Sequence, residues 1–469
     1  MKKRRLIIFI VSTVILIGVI AGYFYWRKYG PIIGVEWFQT GNTQRITRLQ
    51  TKESKELEDN RIGAHTSHLW HPEYDPEIFP DAVLDTKYIF ELGLKRIRLA
   101  INDVDSNRVD WSKPELSIDP SHDDFITSLA DNGVTITFML SFWDKESVAE
   151  GKEIQYPRFK TEEEIQLYLD YVQFIVHHFK DRIQYYEIWN EPNIEDTIQW
   201  IEIDDYINLV ERTVPVIREE YPDAKIVVGS TSELSDQGSQ DYLFSILRAD
   251  IMPLVDVVEW HPFYGASPEY ASLREYYYEY PLLVQEIKDE ASAHGFTGEY
   301  VADELNWCTK DQADLDHPWN AFSETVSAKY YTRGIVMHLG MDVAVSQILM
   351  RDKPMLSEAV QNLHTIMAGA NPIDLPIEIQ SEAENIKSYT FSLSDVDTLV
   401  ALWTDGVAVD DDPGVSATLT IPNFSAQEVI GIDVLEGYQQ SLVITNKDGD
   451  LIIGDLIVRD YPMILHIVK

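Results

Sequence analysis

The spacing of hydrophobic residues changes along this chain, and the changes divide it. Between residues 61 and 375, short apolar runs alternate with longer stretches whose apolar residues recur every three or four positions. The short runs fit strands buried on both faces, and the longer ones fit amphipathic helices with one face on a core. Strands are predicted at 61–65, 95–100, 135–140, 183–188, 225–229, 255–260, 299–302 and 343–348. Helices are predicted at 81–92, 122–132, 162–179, 204–220, 241–249, 282–294, 323–339 and 356–367. Eight strand–helix pairs in alternation predict an α/β fold that closes as a (β/α)8 TIM barrel, with any site at the carboxyl ends of the strands. A doubly wound open sheet is the competing arrangement, but no glycine-rich fingerprint follows any strand.

Past residue 367 the apolar period shortens to two. Runs at 388–393, 398–403, 417–421, 428–434, 440–445, 451–457 and 463–468 are separated by turn residues such as Asp412-Pro413-Gly414 and Lys447-Asp448-Gly449. This predicts a C-terminal antiparallel β-sandwich domain over 376–469. At the other end, Leu6 through Trp26 run without a charge behind Lys2, Lys3, Arg4 and Arg5. A helix that long, at about 1.5 Å per residue, covers a hydrocarbon core of ~30 Å. Residues 1–26 are therefore expected to form an N-terminal transmembrane helix that anchors the chain in the cell membrane as a single pass. The basic residues stay cytoplasmic and the rest becomes extracytoplasmic. A cleaved signal peptide, giving a secreted protein, is the alternative, since Val19-Ile20-Ala21 tolerates cleavage. Residues 27–60 are mixed and polar and read as a stalk or linker whose apolar patch at 32–38 can rest on the folded part.

Composition narrows the partners. The chain has 469 residues and a formal net charge of −40, which argues against binding to nucleic acid, whose phosphates demand a basic surface. With 45% hydrophobic residues it is a globular protein, and its single cysteine, Cys308, excludes an internal disulfide framework.

The candidate chemistry centres on Tyr185-Tyr186-Glu187-Ile188-Trp189-Asn190-Glu191-Pro192-Asn193. The run begins as a strand and is stopped by Pro192, which cannot donate to a sheet ladder. Asn190 and Glu191 therefore sit where a buried strand opens into a loop, a place where an amide and an acid are useful in a cleft. A second carboxylate with the same setting is Glu304, at the end of the seventh predicted strand in Asp303-Glu304-Leu305-Asn306-Trp307.

These two motifs resemble those of glycoside hydrolase clan A, the retaining (β/α)8-barrel glycosidases, and most closely the family 39 type. The resemblance implies that Glu191 is the acid/base, that Asn190 contacts the sugar 2-hydroxyl, and that Glu304 is the nucleophile. It implies an oligo- or polysaccharide substrate, no cofactor and no metal. Asp303 and Leu305 depart from the family motif, and Asp303 competes for the nucleophile's role, although strand alternation should turn it to the opposite face. The family also places a tyrosine two residues after the histidine of strand six. Here that position is Phe263, and Tyr264 follows one residue late, so either Tyr264 reaches Glu304 through a shifted loop or the contact is missing.

Other residues complete the expected site. His261 lines the sugar site or is a core histidine bonded to a carbonyl. Arg98 shares a face with Arg96 and either pairs with the buried Glu187 or orients the nucleophile. Trp143 and Trp307 are expected as cleft walls, since sugar faces stack on aromatic rings. The tyrosine-rich run 269–280 is expected as a loop that roofs the cleft. His65, His68 and His71 have a metal-like spacing, but His65 contacting sugar is the reading taken. Asn446, Asp448 and Asp450 lack the glycine and glutamate of a calcium loop and read as a hairpin turn. Two readings compete with a glycosidase: a catalytically weak or inactive carbohydrate-binding or scaffold protein on the same barrel, and a metal-dependent hydrolase using the strand-one histidines.

Overall fold

The structure, a computed structural model, describes residues 37–58, 60–65, 86–100, 116, 118, 120–141, 157–197, 199–310, 321–348, 353–393 and 397–469. After a short strand β1 (Thr47–Arg48), eight parallel strands close a barrel. They are β2 (Ile62–His65), β3 (Arg96–Leu99), β4 (Thr135–Leu140), β5 (Tyr185–Ile188), β6 (Lys225–Thr231), β7 (Val257–Trp260), β8 (Glu299–Leu305) and β9 (Ala344–Ile348). β9 closes the ring on β2 through pairs such as Gly63↔Ser346 and His65↔Ile348. Around it lie α1 (Thr86–Glu91), α2 (Pro120–Asp131), α3 (Glu162–Phe179), α4 (Ile203–Glu220), α5 (Gln237–Leu247), α6 (Arg274–Ala293), α7 (Glu324–Gly340) and α8 (Pro354–Met367).

Local sequence explains these elements. Thr161 caps α3 by accepting from Glu164 N–H, and Ile165, Leu169, Val172, Val176 and Phe179 form its buried stripe. Tyr168 on the same face donates its hydroxyl to Leu140 O at the end of β4 (2.7 Å). In β6, Gly229 (φ +111°) lies where a Cβ would meet Glu259 O at 2.2 Å, so only glycine permits the close pairing with β7. The register shifts just beyond it, between Gly229 and Thr231. The shift leaves Ser230 O free to accept from Glu191 N–H (2.8 Å), which ties the loop after β5 to its neighbour.

The C-terminal part is a two-layer sandwich, as its alternation predicts. It begins with β10 (Ala370–Pro372), β11 (Glu378–Ser381), β12 (Ile386–Leu393), β13 (Asp397–Thr404) and β14 (Val415–Ile421). It continues with β15 (Glu428–Asp433), β16 (Tyr438–Ser441), β17 (Thr445–Lys447), β18 (Asp450–Val458) and β19 (Met463–Val468). One sheet runs β1-β16-β15-β19-β13-β12-β10 and the other β11-β14-β18-β17. Lys447 and Asp450 pair across a turn in which Asp448 and Gly449 both have positive φ, so this segment is the expected hairpin.

Two expectations are corrected. The described residues of the predicted stalk, from Trp37 on, belong to the folded body. Phe38 is fully buried in the sandwich core, β1 adds to the larger sheet, and Trp37 Nε1–H donates to Asp433 (2.7 Å). The described end of the apolar patch does rest on the folded part, as expected, but within the sandwich core, with partners nearly 400 positions away. The tyrosine run does not roof a cleft either. It opens α6, with Tyr277 and Tyr280 buried, and the Tyr277 and Tyr278 hydroxyls bind Asp405 to hold the sandwich against the barrel (3.0 Å each). Among the described residues no helix is long and apolar enough to cross a membrane, and the segment 1–26 lies outside them.

Candidate active site

The barrel strands bring the predicted carboxylates together at one end. Glu191 follows the fourth barrel strand and Glu304 lies near the end of the seventh, with φ of +44° and +53°. Trp189 is also left-handed (φ +70°), and it is held by complete burial and an indole bond to Gln199 O (2.8 Å). Strained backbone at both carboxylates persists only because the surroundings over-determine it, a frequent mark of functional sites. The carboxylates of Glu191 and Glu304 and a ring nitrogen of His261 lie within 4.8 Å of one another.

Tyr264 sits among these three. Its hydroxyl is 2.8 Å from Glu304 Oε2, 2.9 Å from Glu191 Oε1 and 2.8 Å from His261 Nδ1. One phenolic proton cannot serve three acceptors. A consistent arrangement has Tyr264 donating to Glu304 while His261 Nδ1–H donates towards Tyr264 Oη and Glu191 Oε1 (3.1 Å). Burial, then the two carboxylates, hold the Tyr264 phenol well above its ordinary range, so it keeps its proton. The shifted tyrosine thus reaches Glu304, while Phe263 turns into an aromatic core against Tyr280 and Trp307. The same three side chains lie close enough to reach a single metal ion, and the Tyr264 hydroxyl sits within 2.9 Å of each of them.

Arg98 touches both carboxylates expected of it. Its Nε and Nη2 make a bidentate pair with Glu187 (2.6 Å each), Nη1 donates to Glu304 Oε1 (2.7 Å), and Nη2 donates to Asn190 Oδ1 (2.6 Å). Glu259 and Asp303 also approach its Nε, at 3.3 and 3.2 Å. Asp303 is thereby corrected: its side chain faces the barrel interior with Glu304, because the positive φ and the register shift between Ala302 and Leu305 break the alternation. Asp303 is only 1% exposed, whereas the side chains of Glu191 and Glu304 keep 13% and 14% exposed, so of the three the latter pair is the more open. Burial, then Glu187 and Asp303, push the Glu259 carboxyl well above its usual range, which favours its protonated form.

The two histidines differ. His65 Nδ1 lies 3.1 Å from Arg98 Nη1, a pure donor, so the imidazole accepts there and carries its proton on Nε2, 3.8 Å from Glu304. Burial keeps it neutral, lowering its pKa to about 4. Burial also opposes charge on His261, but Glu304 and Glu191 outweigh it and raise its pKa. Burial would raise Glu304, yet His261, His65, Arg98 and the Tyr264 hydrogen bond together hold it well below the usual carboxylate range.

Beside Glu191 and Tyr264 opens a cavity of about 630 Å³, lined also by Asn193, Ser232, Glu233 and Tyr242. Trp307 is not a wall of any cleft. It is fully buried, stacked on Tyr330, with its indole donating to Ala266 O (2.8 Å). The bulky strand-end tryptophan proved more valuable to the core. Trp143, His68 and His71 lie outside the described residues. Gln199 was missed: its amide donates to Glu191 Oε2 (3.0 Å) and accepts from Asn190 Nδ2 (3.3 Å), and as a lone glutamine in an aperiodic loop it carried no sequence signal.

No family model and no curated protein sequence matches the chain. Solved structures do. A family 39 glycoside hydrolase from the gut symbiont Bacteroides cellulosilyticus WH2 superposes with a TM-score of 0.62 at 15% identity, covering 91% of this chain and 84% of that one. AbfB, a family 51 α-L-arabinofuranosidase from Bifidobacterium longum, gives 0.55 at 14% identity over 90% and 98% of the two chains. The catalytic domain of GH30 xylanase C from Talaromyces cellulolyticus gives 0.54 at 11% identity over 90% and 98%. The chain therefore has the fold of the clan A glycosidases, barrel and sandwich together, with its greatest likeness among these three to the family 39 enzyme.

Proposed function

We propose that the protein is a retaining O-glycoside hydrolase that works by double displacement, with Glu304 as nucleophile and Glu191 as acid/base. The observation that carries this reading is the pair of partly exposed carboxylates within 4.8 Å, bridged by Tyr264, at the end of the barrel strands. Retaining enzymes need carboxyls about 5–5.5 Å apart, whereas inverting ones need roughly 6.5–9.5 Å to admit a water. Glu304, ionised and oriented by Arg98 and Tyr264, attacks the anomeric carbon as Glu191 protonates the departing oxygen. Glu191 then takes a proton from the water that releases the sugar. Asn190, fixed by Arg98 and Gln199, is placed to bind the sugar 2-hydroxyl.

The substrate class is an oligo- or polysaccharide outside the cytoplasm, reached by a catalytic domain held to the membrane through residues 1–26. The charge-free run behind four basic residues supports that topology. Full-length protein should stay with membranes after an alkaline wash; a soluble form beginning near Gly22 would mean a cleaved signal peptide instead. For the chemistry, a matched 2-fluoro glycoside should label Glu304 covalently in the native enzyme. A label on another residue, or inverted product from the wild type, would overturn the assignment.

A further inference from the structure

We infer that Gln199 is a positioning residue for the acid/base, serving protonation of the leaving group and not attack by the nucleophile. The inference rests on the glycosidase reading above. Gln199 lies in the loop after β5, eight positions beyond Glu191 in the chain, yet its side chain returns to the site. Its Nε2–H donates to Glu191 Oε2 at 3.0 Å, and its Oε1 accepts from Asn190 Nδ2 at 3.3 Å, so one amide spans both residues of the motif. Its backbone is fixed separately: Trp189 Nε1–H donates to Gln199 O at 2.8 Å, and Gln199 N–H donates to Thr197 Oγ1 at 3.2 Å. The neighbouring loop is closed by Ile201 N–H to Pro192 O (2.8 Å).

The two carboxyl oxygens of Glu191 then have different partners. Oε1 meets Tyr264 and His261, and through Tyr264 it is linked to the nucleophile. Oε2 meets Gln199, a neutral donor on a carboxyl that borders the open cavity. Without the amide, the carboxyl would be anchored on one side only and free to turn about its last torsion. General acid catalysis depends on that orientation, because the proton must reach the departing oxygen at hydrogen-bond distance. Gln199 makes no hydrogen bond to Glu304 or Arg98, whose partners lie on the other side of the site. Asn190 keeps its 2.6 Å bond from Arg98 when the amide is removed, so the loss should fall chiefly on the acid step.

The test compares two glycosides of the same sugar, one with a dinitrophenyl leaving group that departs without protonation and one with an alkyl group that requires it. With wild type, Gln199→Ala, Gln199→Glu and Glu191→Ala, kcat/KM is read, because it reports the first, glycosylation step. Gln199→Ala should lose about 10- to 100-fold on the alkyl glycoside, the scale of one hydrogen bond to a charged group, and stay within about twofold on the dinitrophenyl one. Gln199→Glu, which keeps the shape but sets a carboxylate against Glu191, should show the same selective loss. Equal losses on both substrates in a folded variant, or no loss on either, would overturn the positioning role. If Glu191→Ala itself shows no dependence on the leaving group, the acid/base assignment has failed and the role of Gln199 falls with it.

Discussion

Replacing Tyr264 by Phe removes one oxygen from the centre of the site and nothing else. That hydroxyl is 2.8 Å from Glu304 Oε2 and 2.9 Å from Glu191 Oε1. A hydrogen bond to a charged group is worth roughly 1.5–3 kcal/mol, so kcat/KM should fall by about 10- to 150-fold where that bond is what holds Glu304 in line for attack. The effect on pH dependence has a definite sign. The Tyr264 bond is one of the causes, after His261, His65 and Arg98, that hold the nucleophile below the usual carboxylate range against the opposing effect of burial. Glu304 must be ionised to attack, so activity is lost as pH falls through its pKa. Removing the donor raises that pKa, and the acid limb of kcat/KM moves to higher pH. The assay is kcat/KM for an aryl glycoside from about pH 3 to 8, with circular dichroism to verify the fold. In that window the low nucleophile pKa gives the wild type no acid limb of its own, and the variant's should begin to enter. Activity within about twofold of wild type and an unmoved acid limb would refute the reasoning, because the hydroxyl would then not hold the nucleophile.

Other outcomes follow from the same geometry. Glu191→Ala should still form the glycosyl-enzyme from substrates with good leaving groups, and added azide should restore turnover as the β-azide of a β-glycoside substrate. Glu304→Ala should lose activity on all leaving groups and give the inverted α-azide on rescue; the product anomers are read by NMR. Arg98→Met leaves the buried carboxylates around it uncompensated and should cost on the order of 3–5 kcal/mol in urea unfolding. Glu259→Gln, which copies the protonated carboxyl, should be near neutral in the same measurement. His65, His338 and His364 are buried with pKa values lowered to about 4 from 6.5, burial being the first cause in each. The unfolded chain binds more protons than the native one in that window, so stability should be lost as pH falls from about 6.5 to 4. Each histidine contributes up to ~3 kcal/mol of that loss. His364→Asn, monitored by Tm against pH, should flatten the decline relative to wild type.

How far the sequence could be read depended on whether a contact leaves a local trace. Glu191 was legible because Pro192 ends a strand just where the acid must stand, and Glu304 because its place on the seventh strand answered the fourth. The inward turn of Asp303 was not, since it depends on a positive φ that breaks a period of two. The early start of α6 was legible in principle. Tyr277, Tyr280, Val284, Ile287 and Ala291 are spaced by three and four, but Pro281 and the polar look of the tyrosines suggested a loop. That the patch holding Trp37 and Phe38 rests on the folded part was legible, but its place in the sandwich core was not, since a short apolar patch does not say which distant sheet will cover it. Trp307 shows the limit of composition, since an aromatic residue at a strand end serves a core as well as a sugar face.

The assignment of roles to the two carboxylates can be argued from their surroundings alone. Glu304 touches Arg98, the fixed cation of the barrel interior, and has His261 and His65 each 3.8 Å from its Oε1. Glu191 is bonded to a neutral amide, to Tyr264 and to His261, and it borders the open cavity. The cavity is the room a leaving group needs, and it lies on the side of Glu191. A nucleophile must be ionised and held still, and an acid must face the departing oxygen. Arg98 meets the first requirement while it is itself pinned by Glu187, Asp303 and Glu259, so the orientation of Glu304 is set by the barrel interior. Exchanging the roles would put the acid against the guanidinium of Arg98, which favours the ionised form of the carboxylate it touches. A double substitution that moved the cation, not one that merely exchanged the acids, would be needed to reverse them.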